Sequence, residues 1–225
     1  MTTVFLPCRK GSERVPAKNT RNFAGIEGGL IQIKLLQLLQ SNKLDAICLS
    51  TNDPEVMDIA AKISDSRINI LMRPDQLASS QTSTDDLIKY VPELIDSGTV
   101  VWTHVTSPFM DGEAYDQIIE AYQKALVSGY DSLATVSRIQ TFLWNKEGPV
   151  NYDRNKEKWP RTQTLSPLWE LNSGAFVADI SIYKEMDDRI GAKPFLFEVD
   201  DQQGFDIDWE HDFYLAEKIW ESSGF

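Results

Sequence analysis

The sequence predicts an α/β fold, a Rossmann-like, doubly wound and mostly parallel sheet. Three observations predict it. Short apolar runs of strand length alternate with segments that are apolar at helical spacing. The connections between them are short and polar. The first strand ends in a cationic loop containing glycine and serine, where such folds bind phosphate. With 225 residues the chain is long enough for one sizeable domain.

The elements follow in order. Val4–Leu6 is the first strand, and Leu30–Leu39 is apolar at helical spacing and ends near Ser41-Asn42. Ala46–Ser50 is the second strand, and Thr51-Asn52-Asp53-Pro54 reads as a turn leading into a helix over Glu55–Ile63. Ile68–Met72 is the third strand. After the Arg73–Gln81 loop, Ser83 or Thr84 caps a helix reaching Ile95, with Asp85 and Asp86 in its first turn. Val100–Val105 is the fourth strand, followed by Thr106-Ser107-Pro108 and a helix from about Tyr115 to Val127. Leu133–Val136 is the fifth. Between about Gln140 and Trp169 the rhythm breaks, with Pro149, Pro160 and Pro167 and no period. That is too long for a passive turn, so 140–170 is expected to be a lid or a dimerisation arm inserted in a single 1–225 domain. Alternation resumes at Gly174–Ala178. Phe195–Val199 is a late strand and Trp209–Trp220 a closing helix.

Composition narrows the function. Lys and Arg total 22 against 34 Asp and Glu, a net charge of −12, which argues against nucleic-acid or anionic-membrane partners. Cys8 and Cys48 lie in or beside interior strands and read as small buried hydrophobes. There is no CxxC pair, so a structural zinc site is not expected. No signal-like segment opens the chain, and no apolar run reaches the ~18 residues of a membrane span. The expectation is a cytoplasmic protein.

Against that acidic background, the first 21 residues hold Arg9, Lys10, Arg14, Lys18 and Arg21 against Glu13 alone. Backbone N–H groups, a hydroxyl and long cations there can surround a polyanion. A second cluster is acidic: Glu185 to Asp212 holds ten Asp or Glu against Arg189 and Lys193. Within it, Phe205-Asp206-Ile207-Asp208-Trp209 has period-two form. If extended, it points Asp206 and Asp208 one way and Ile207 into the core. Such a pair suits a magnesium ion that also takes phosphate oxygens; the other reading is that Asp208 caps the last helix. Hydroxyls of Thr106 and Ser107 can contact a polyol, or simply start a helix. Arg73-Pro74 with Leu77-Ala78 forms part of a nucleotide pocket or a surface loop. His104 is a ligand reader, an acid/base, or a structural histidine at a strand end.

These residues also carry a resemblance. Pro7–Asn19 (PCRKGSERVPAKN) resembles the R-x-x-S-x-x-x-P-x-K-N signature of the acylneuraminate cytidylyltransferases, the CMP-sialic acid synthetases. RP-x-x-LAS at Arg73–Ser79, TSP at Thr106–Pro108, SGAF at Ser173–Phe176 and DID at Asp206–Asp208 follow in the same order and span nearly the whole chain. The resemblance leaves no room for the extra C-terminal domain of some animal members. It implies transfer of CMP from CTP to the anomeric hydroxyl of a nine-carbon 2-keto acid sugar, with release of pyrophosphate. It also implies that Arg9, Ser12 and Lys18 hold the triphosphate, that Asn19 and Arg73 lie near the cytidine, and that Thr82 and Thr84 line that pocket. Asp206 and Asp208 would hold Mg2+, and Arg161 would meet the acceptor carboxylate. Relatives exchange an arm between subunits, which implies a homodimer.

The departures fall mainly on the acceptor side. Ser12-Glu13-Arg14 stands where many members have Ser-Lys-Gly, so Arg14 is the candidate replacement for a phosphate-binding lysine. His104-Val105 replaces a glutamine that touches the sugar, Met110 stands where an arginine often follows, and the block at Ser173 lacks the family's tyrosine. The acceptor is expected to be sialic acid or a relative such as legionaminic or pseudaminic acid. The alternatives are a nucleotidylyltransferase for another acidic sugar such as Kdo, a D-x-D sugar transferase, and a non-catalytic nucleotide binder.

Overall fold

The computed structural model describes residues 1–223. Seven strands form one sheet: β1 Thr2–Cys8, β2 Ala46–Thr51, β3 Ile68–Met72, β4 Thr99–Trp102, β5 Ser132–Ile139, β6 Leu168–Asp179 and β7 Pro194–Glu198. The helices are α1 Gly29–Gln40, α2 Pro54–Ile63, α3 Thr84–Leu94, α4 Gly112–Val127, α5 Ile180–Met186 and α6 Glu210–Ser223. The strand order is β3-β2-β1-β4-β6-β5-β7. Only β6 runs antiparallel to its neighbours, β4 and β5.

Alternation along the strands explains the layering. Val4 and Leu6, Ile47 and Leu49, and Val101 belong to one buried cluster with residues of α1, α2, α4 and α6. Their sequence neighbours Phe5, Cys48, Val100 and Trp102 belong to a second, with residues of α3 and α5. Successive side chains point to opposite faces, so a continuously apolar strand must be covered on both. Helices α2, α3 and α4 are capped from their own sequence. Asp53 accepts from Glu55 N at the start of α2, Asp111 accepts from Ala114 N at the start of α4, and Ser83 and Asp86 form a reciprocal capping box on α3. Gly29 has φ +59°, and a Cβ there would sit 2.3 Å from the Arg21 carbonyl oxygen, so only glycine lets the first loop dock against α1.

Chain order fixes where a ligand can enter. From β1 the chain winds outward through β2 and β3, then crosses back to β4 on the other side of β1. The carboxyl ends of β1 and β4 therefore flank the topological switch point, the usual ligand crevice of such sheets.

The structure departs from expectation in several places, with β5 running on to Ile139 and α4 starting at Gly112. β4 ends at Trp102 rather than Val105; Val105 is buried from a turn instead. β6 begins at Leu168, inside the stretch expected to be irregular. The seven-residue helix α5 has no counterpart in the sequence reading. Phe205–Asp208 is irregular rather than a strand, yet Ile207 is buried and both aspartates are partly exposed, as the alternation required.

Candidate active site

A cleft of about 350 Å³ opens at the switch point, lined on one wall by Arg9, Ser12, Glu13, Arg14, Lys18 and Asn19, and on the other by His104, Val105 and Thr106. The first wall is held in shape by its own polar groups. Asn19 Nδ2 donates to the Arg9 carbonyl (3.1 Å), Lys10 N–H donates to Asn52 Oδ1 (2.8 Å), and the Arg9 guanidinium donates to the Gly11 carbonyl (2.8 Å). Buried Val15 pins the middle of the loop into the core. Ala17 carries φ +49°, a left-handed conformation that a non-glycine residue adopts at some strain.

Lys18 joins the loop to the acid pair. Its Nζ donates to the Ile207 carbonyl at 2.7 Å, between Asp206 and Asp208. Burial lowers its pKa below the ordinary lysine value; the two carboxylates pull it back up, while Arg14 and Arg9 add to the lowering. Arg14 forms an ion pair with Asp208 Oδ1 at 2.8 Å and lies over the Trp209 ring at 5.2 Å. Ser173 Oγ donates to Asp206 Oδ2 at 2.8 Å. The remaining oxygen, Asp206 Oδ1, is buried and has no hydrogen-bond partner. A buried carboxylate oxygen left open is costly unless something binds it. Together with Asp208, it suits a hard divalent cation completed by oxygens from a bound phosphate. No group of three or more His, Cys, Asp or Glu among the described residues is placed to hold a metal ion by itself, so such an ion would need that completion. Asp208 does not cap the last helix; Asp212 does, accepting from the N–H groups of Asp208 (3.1 Å) and Trp209 (2.7 Å).

On the opposite wall, Trp102 Nε1–H donates to His104 Nε2 at 3.0 Å, so the ring proton is assigned to Nδ1. Burial, helped by the charges of Arg189, Lys18 and Lys34, pulls the His104 pKa down to about 3. His104 is thus neutral at physiological pH with its one lone pair engaged, which corrects the acid/base option. The Thr106 carbonyl accepts from Ile207 N–H at 2.9 Å, stitching this wall to the acid pair.

Several expected contacts lie elsewhere. Ser107 is 1% exposed, so its side chain presents no surface to a sugar hydroxyl. Arg73 is 2% exposed, with Nε donating to Ser50 Oγ and a terminal nitrogen to the Ser50 carbonyl, and it braces the ends of β2 and β3. Thr82 and Thr84 sit on the Ser79–Thr84 loop and the start of α3, and do not line the cleft. Arg161 is exposed on the 140–167 segment, ahead of the short turn Thr162–Thr164, and does not line the cleft either. Lys34 went unnoticed in the sequence. It is a single lysine in the apolar run LIQIKLL, fully buried, with its Nζ donating to the Ser107 carbonyl (2.7 Å), the Met110 carbonyl (3.1 Å) and Tyr115 OH (2.9 Å). A lone cation inside an apolar helical stretch was the available signal.

Comparison with known proteins identifies the family. CMP-N,N′-diacetyllegionaminic acid synthase of Legionella pneumophila is 29% identical over 238 aligned positions, covering 96% of this chain and 94% of that protein. Pseudaminic acid cytidylyltransferase of Campylobacter jejuni is 26% identical over 181, covering 76% and 75%. Among solved structures, CMP:2-keto-3-deoxy-manno-octonic acid synthetase complexed with CTP superposes with a TM-score of 0.69 over 98% of both chains; at 13% identity this speaks to the fold. The family model described as cytidylyltransferase matches residues 3–186, the segment that carries the basic loop and both walls of the cleft. On that match, the chain belongs to the cytidylyltransferase family.

Proposed function

We propose that the chain transfers CMP from CTP to the anomeric hydroxyl of a nonulosonic acid, releasing pyrophosphate. The observation that carries this reading is the joining of two charge systems at the edge of the cleft: Lys18, which lines it, donates to the carbonyl of Ile207, the residue between Asp206 and Asp208, and feels both carboxylates. The names of the Legionella and Campylobacter relatives support the acceptor class. Membership of the cytidylyltransferase family sets aside the sugar-transferase and non-catalytic alternatives.

In this reading the acceptor hydroxyl oxygen attacks the α-phosphorus of CTP. The new P–O bond forms as the bond to the β-phosphate oxygen breaks, and the hydroxyl proton is lost to solvent. Catalysis is mainly positioning and charge neutralisation. Arg9, Ser12, Arg14 and Lys18 receive the phosphates, with Asn19 holding the loop. Arg14 exchanges Asp208 for the nucleotide as it enters. His104 does not take the proton, because its lone pair is engaged with Trp102; its Nδ1–H donates to the acceptor beside Thr106. Asp206 and Asp208 would hold Mg2+, which when bound neutralises phosphate charge and acidifies the attacking hydroxyl.

The acceptor half is completed by a second copy of the chain. The 140–167 segment and the start of β6 expose the large apolar side chains Trp144, Trp159, Trp169 and Leu171, which a homodimer interface would cover. Exposed Arg161 then serves the partner's site and meets the acceptor carboxylate there. No helix among the described residues is long and apolar enough to cross a membrane, and the reading places the reaction in the cytoplasm.

The test is pyrophosphate release from CTP and Mg2+ across legionaminic, pseudaminic and sialic acids, with Kdo and other nucleoside triphosphates as controls. A CTP-dependent signal with one nine-carbon acid is expected. A signal with Kdo alone would move the substrate to the eight-carbon acids, and CTP failing to bind would refute the reading.

A further inference from the structure

We propose that Lys34 is a positioning residue, whose ammonium group holds the acceptor-side turn Thr103–Met110 against the sheet and so sets one wall of the cleft. The inference rests on the reading of that wall as the acceptor side.

The supply of protons requires Lys34 to be charged. Lys34 Nζ lies within hydrogen-bond distance of the Ser107 carbonyl, the Met110 carbonyl and Tyr115 OH. Tyr115 OH lies 2.8 Å from Thr103 Oγ1, and Thr103 Oγ1 lies 2.7 Å from the Gly174 carbonyl. The carbonyls can only accept, so Thr103 must donate to Gly174. The proton between Tyr115 and Thr103 must then come from Tyr115, which leaves Tyr115 to accept from Lys34. Five hydrogen bonds need five protons: three on the ammonium, one on Tyr115 and one on Thr103. Lys34, Thr103, Ser107, Met110 and Tyr115 are all at most 1% exposed, so solvent does not make up a deficit. A neutral amine supplies one proton too few.

The network reaches both parts of the cleft. Through Ser107 and Met110 it fixes the turn that carries Thr106, whose carbonyl anchors Ile207 between the aspartates. Through Thr103 it fixes Gly174, the neighbour of Ser173, which holds Asp206. The charge is nevertheless strained. Burial pulls the Lys34 pKa down to about 7, opposed only by Asp111 at the start of α4; Tyr115, on the same helix, is driven upward and stays protonated. The other titratable group on this side is His104, which is already neutral. Raising the pH through neutrality therefore removes the fifth proton.

The test needs no substrate. Amide hydrogen exchange, corrected for its intrinsic pH dependence, is followed at pH 6.5 and 8.5 in wild type, Lys34→Met and Tyr115→Phe. In Lys34→Met, amides of 103–112 and of Ile207 are expected to exchange about tenfold faster at pH 6.5, the scale of one buried hydrogen bond, with β2 and β3 unchanged. Wild type is expected to loosen at the same amides at pH 8.5. Tyr115→Phe leaves Lys34 two acceptors that a neutral amine satisfies, so its turn should not loosen between the two pH values; it carries the test if Lys34→Met fails to fold. Kinetically, Lys34→Met should raise KM for the acceptor acid with KM for CTP little changed. Unchanged exchange in the turn, uniform acceleration throughout the fold, or alkaline loosening that persists in Tyr115→Phe would overturn the proposal. Failure of every acceptor acid with wild type would instead count against the substrate reading, with the exchange result standing apart.

Discussion

Lys18→Met is the substitution that most sharply probes the joined charge systems. Methionine keeps the length of the side chain and removes its charge and its donor. In the structure that donor makes a 2.7 Å bond to the Ile207 carbonyl between two carboxylates. A charge-assisted hydrogen bond of this kind is worth roughly 1.5–3 kcal/mol. A donor aimed at charge developing in the transition state is worth about 2.7–4 kcal/mol, a factor of about 10² to 10³ in kcat. The expected outcome is thus a kcat lower by about two to three orders of magnitude, with a higher KM for CTP because the triphosphate loses a cation. The melting temperature should fall by only a few degrees, since Lys18 is partly exposed and sits outside the core clusters. Steady-state pyrophosphate release and a thermal melt on the same preparation supply both numbers. A kcat within about threefold of wild type would refute the assignment of Lys18 to the reacting phosphates.

Three further outcomes follow. Arg14→Gln frees Asp208 from a half-exposed pair worth up to about 1 kcal/mol. The melting temperature should then change by less than about 4 °C while KM for CTP rises, and an unchanged KM for CTP would remove Arg14 from the phosphate wall. The His104 pKa is lowered in the fold, so the stability it contributes is present above pH 6.5 and is lost as pH falls from there toward about 3. Urea unfolding at pH 7 and pH 5 should show wild type losing about 1 kcal/mol per pH unit more than His104→Gln, and parallel losses would contradict the neutral imidazole. Trp159→Glu, on the exposed face of the 140–167 segment, should give a monomer by sedimentation velocity with the melt little changed, and an intact dimer would place the interface elsewhere.

What the sequence revealed were the features encoded locally. The basic loop is contiguous, so its charge reversal within an acidic chain is visible without a fold. The unbroken apolar runs of β1, β2 and β4 stand out because both faces are covered. The acid pair survives the loss of its expected strand because Ile207 alone has to be buried. Other features depend on contacts distant in sequence. The first six residues of β6 are exposed or only partly buried, so they carry no period, and α5 is too short to display one. Arg73 followed by proline looks the same whether the guanidinium meets a nucleotide or braces Ser50. Lys34 acquires its meaning only when the turn after β4 and helix α4 close over it.

The most direct measurement of the central claim is a crystal of the protein soaked with CTP and Mn2+, with the anomalous signal used to locate the ion. The account predicts the triphosphate along Arg9–Lys18 and an anomalous peak within coordination distance of both Asp206 and Asp208. A nucleotide seated elsewhere, such as the groove between α1 and α2 lined by Glu27, Gln32 and Glu55, or an ion away from the aspartates, would contradict it.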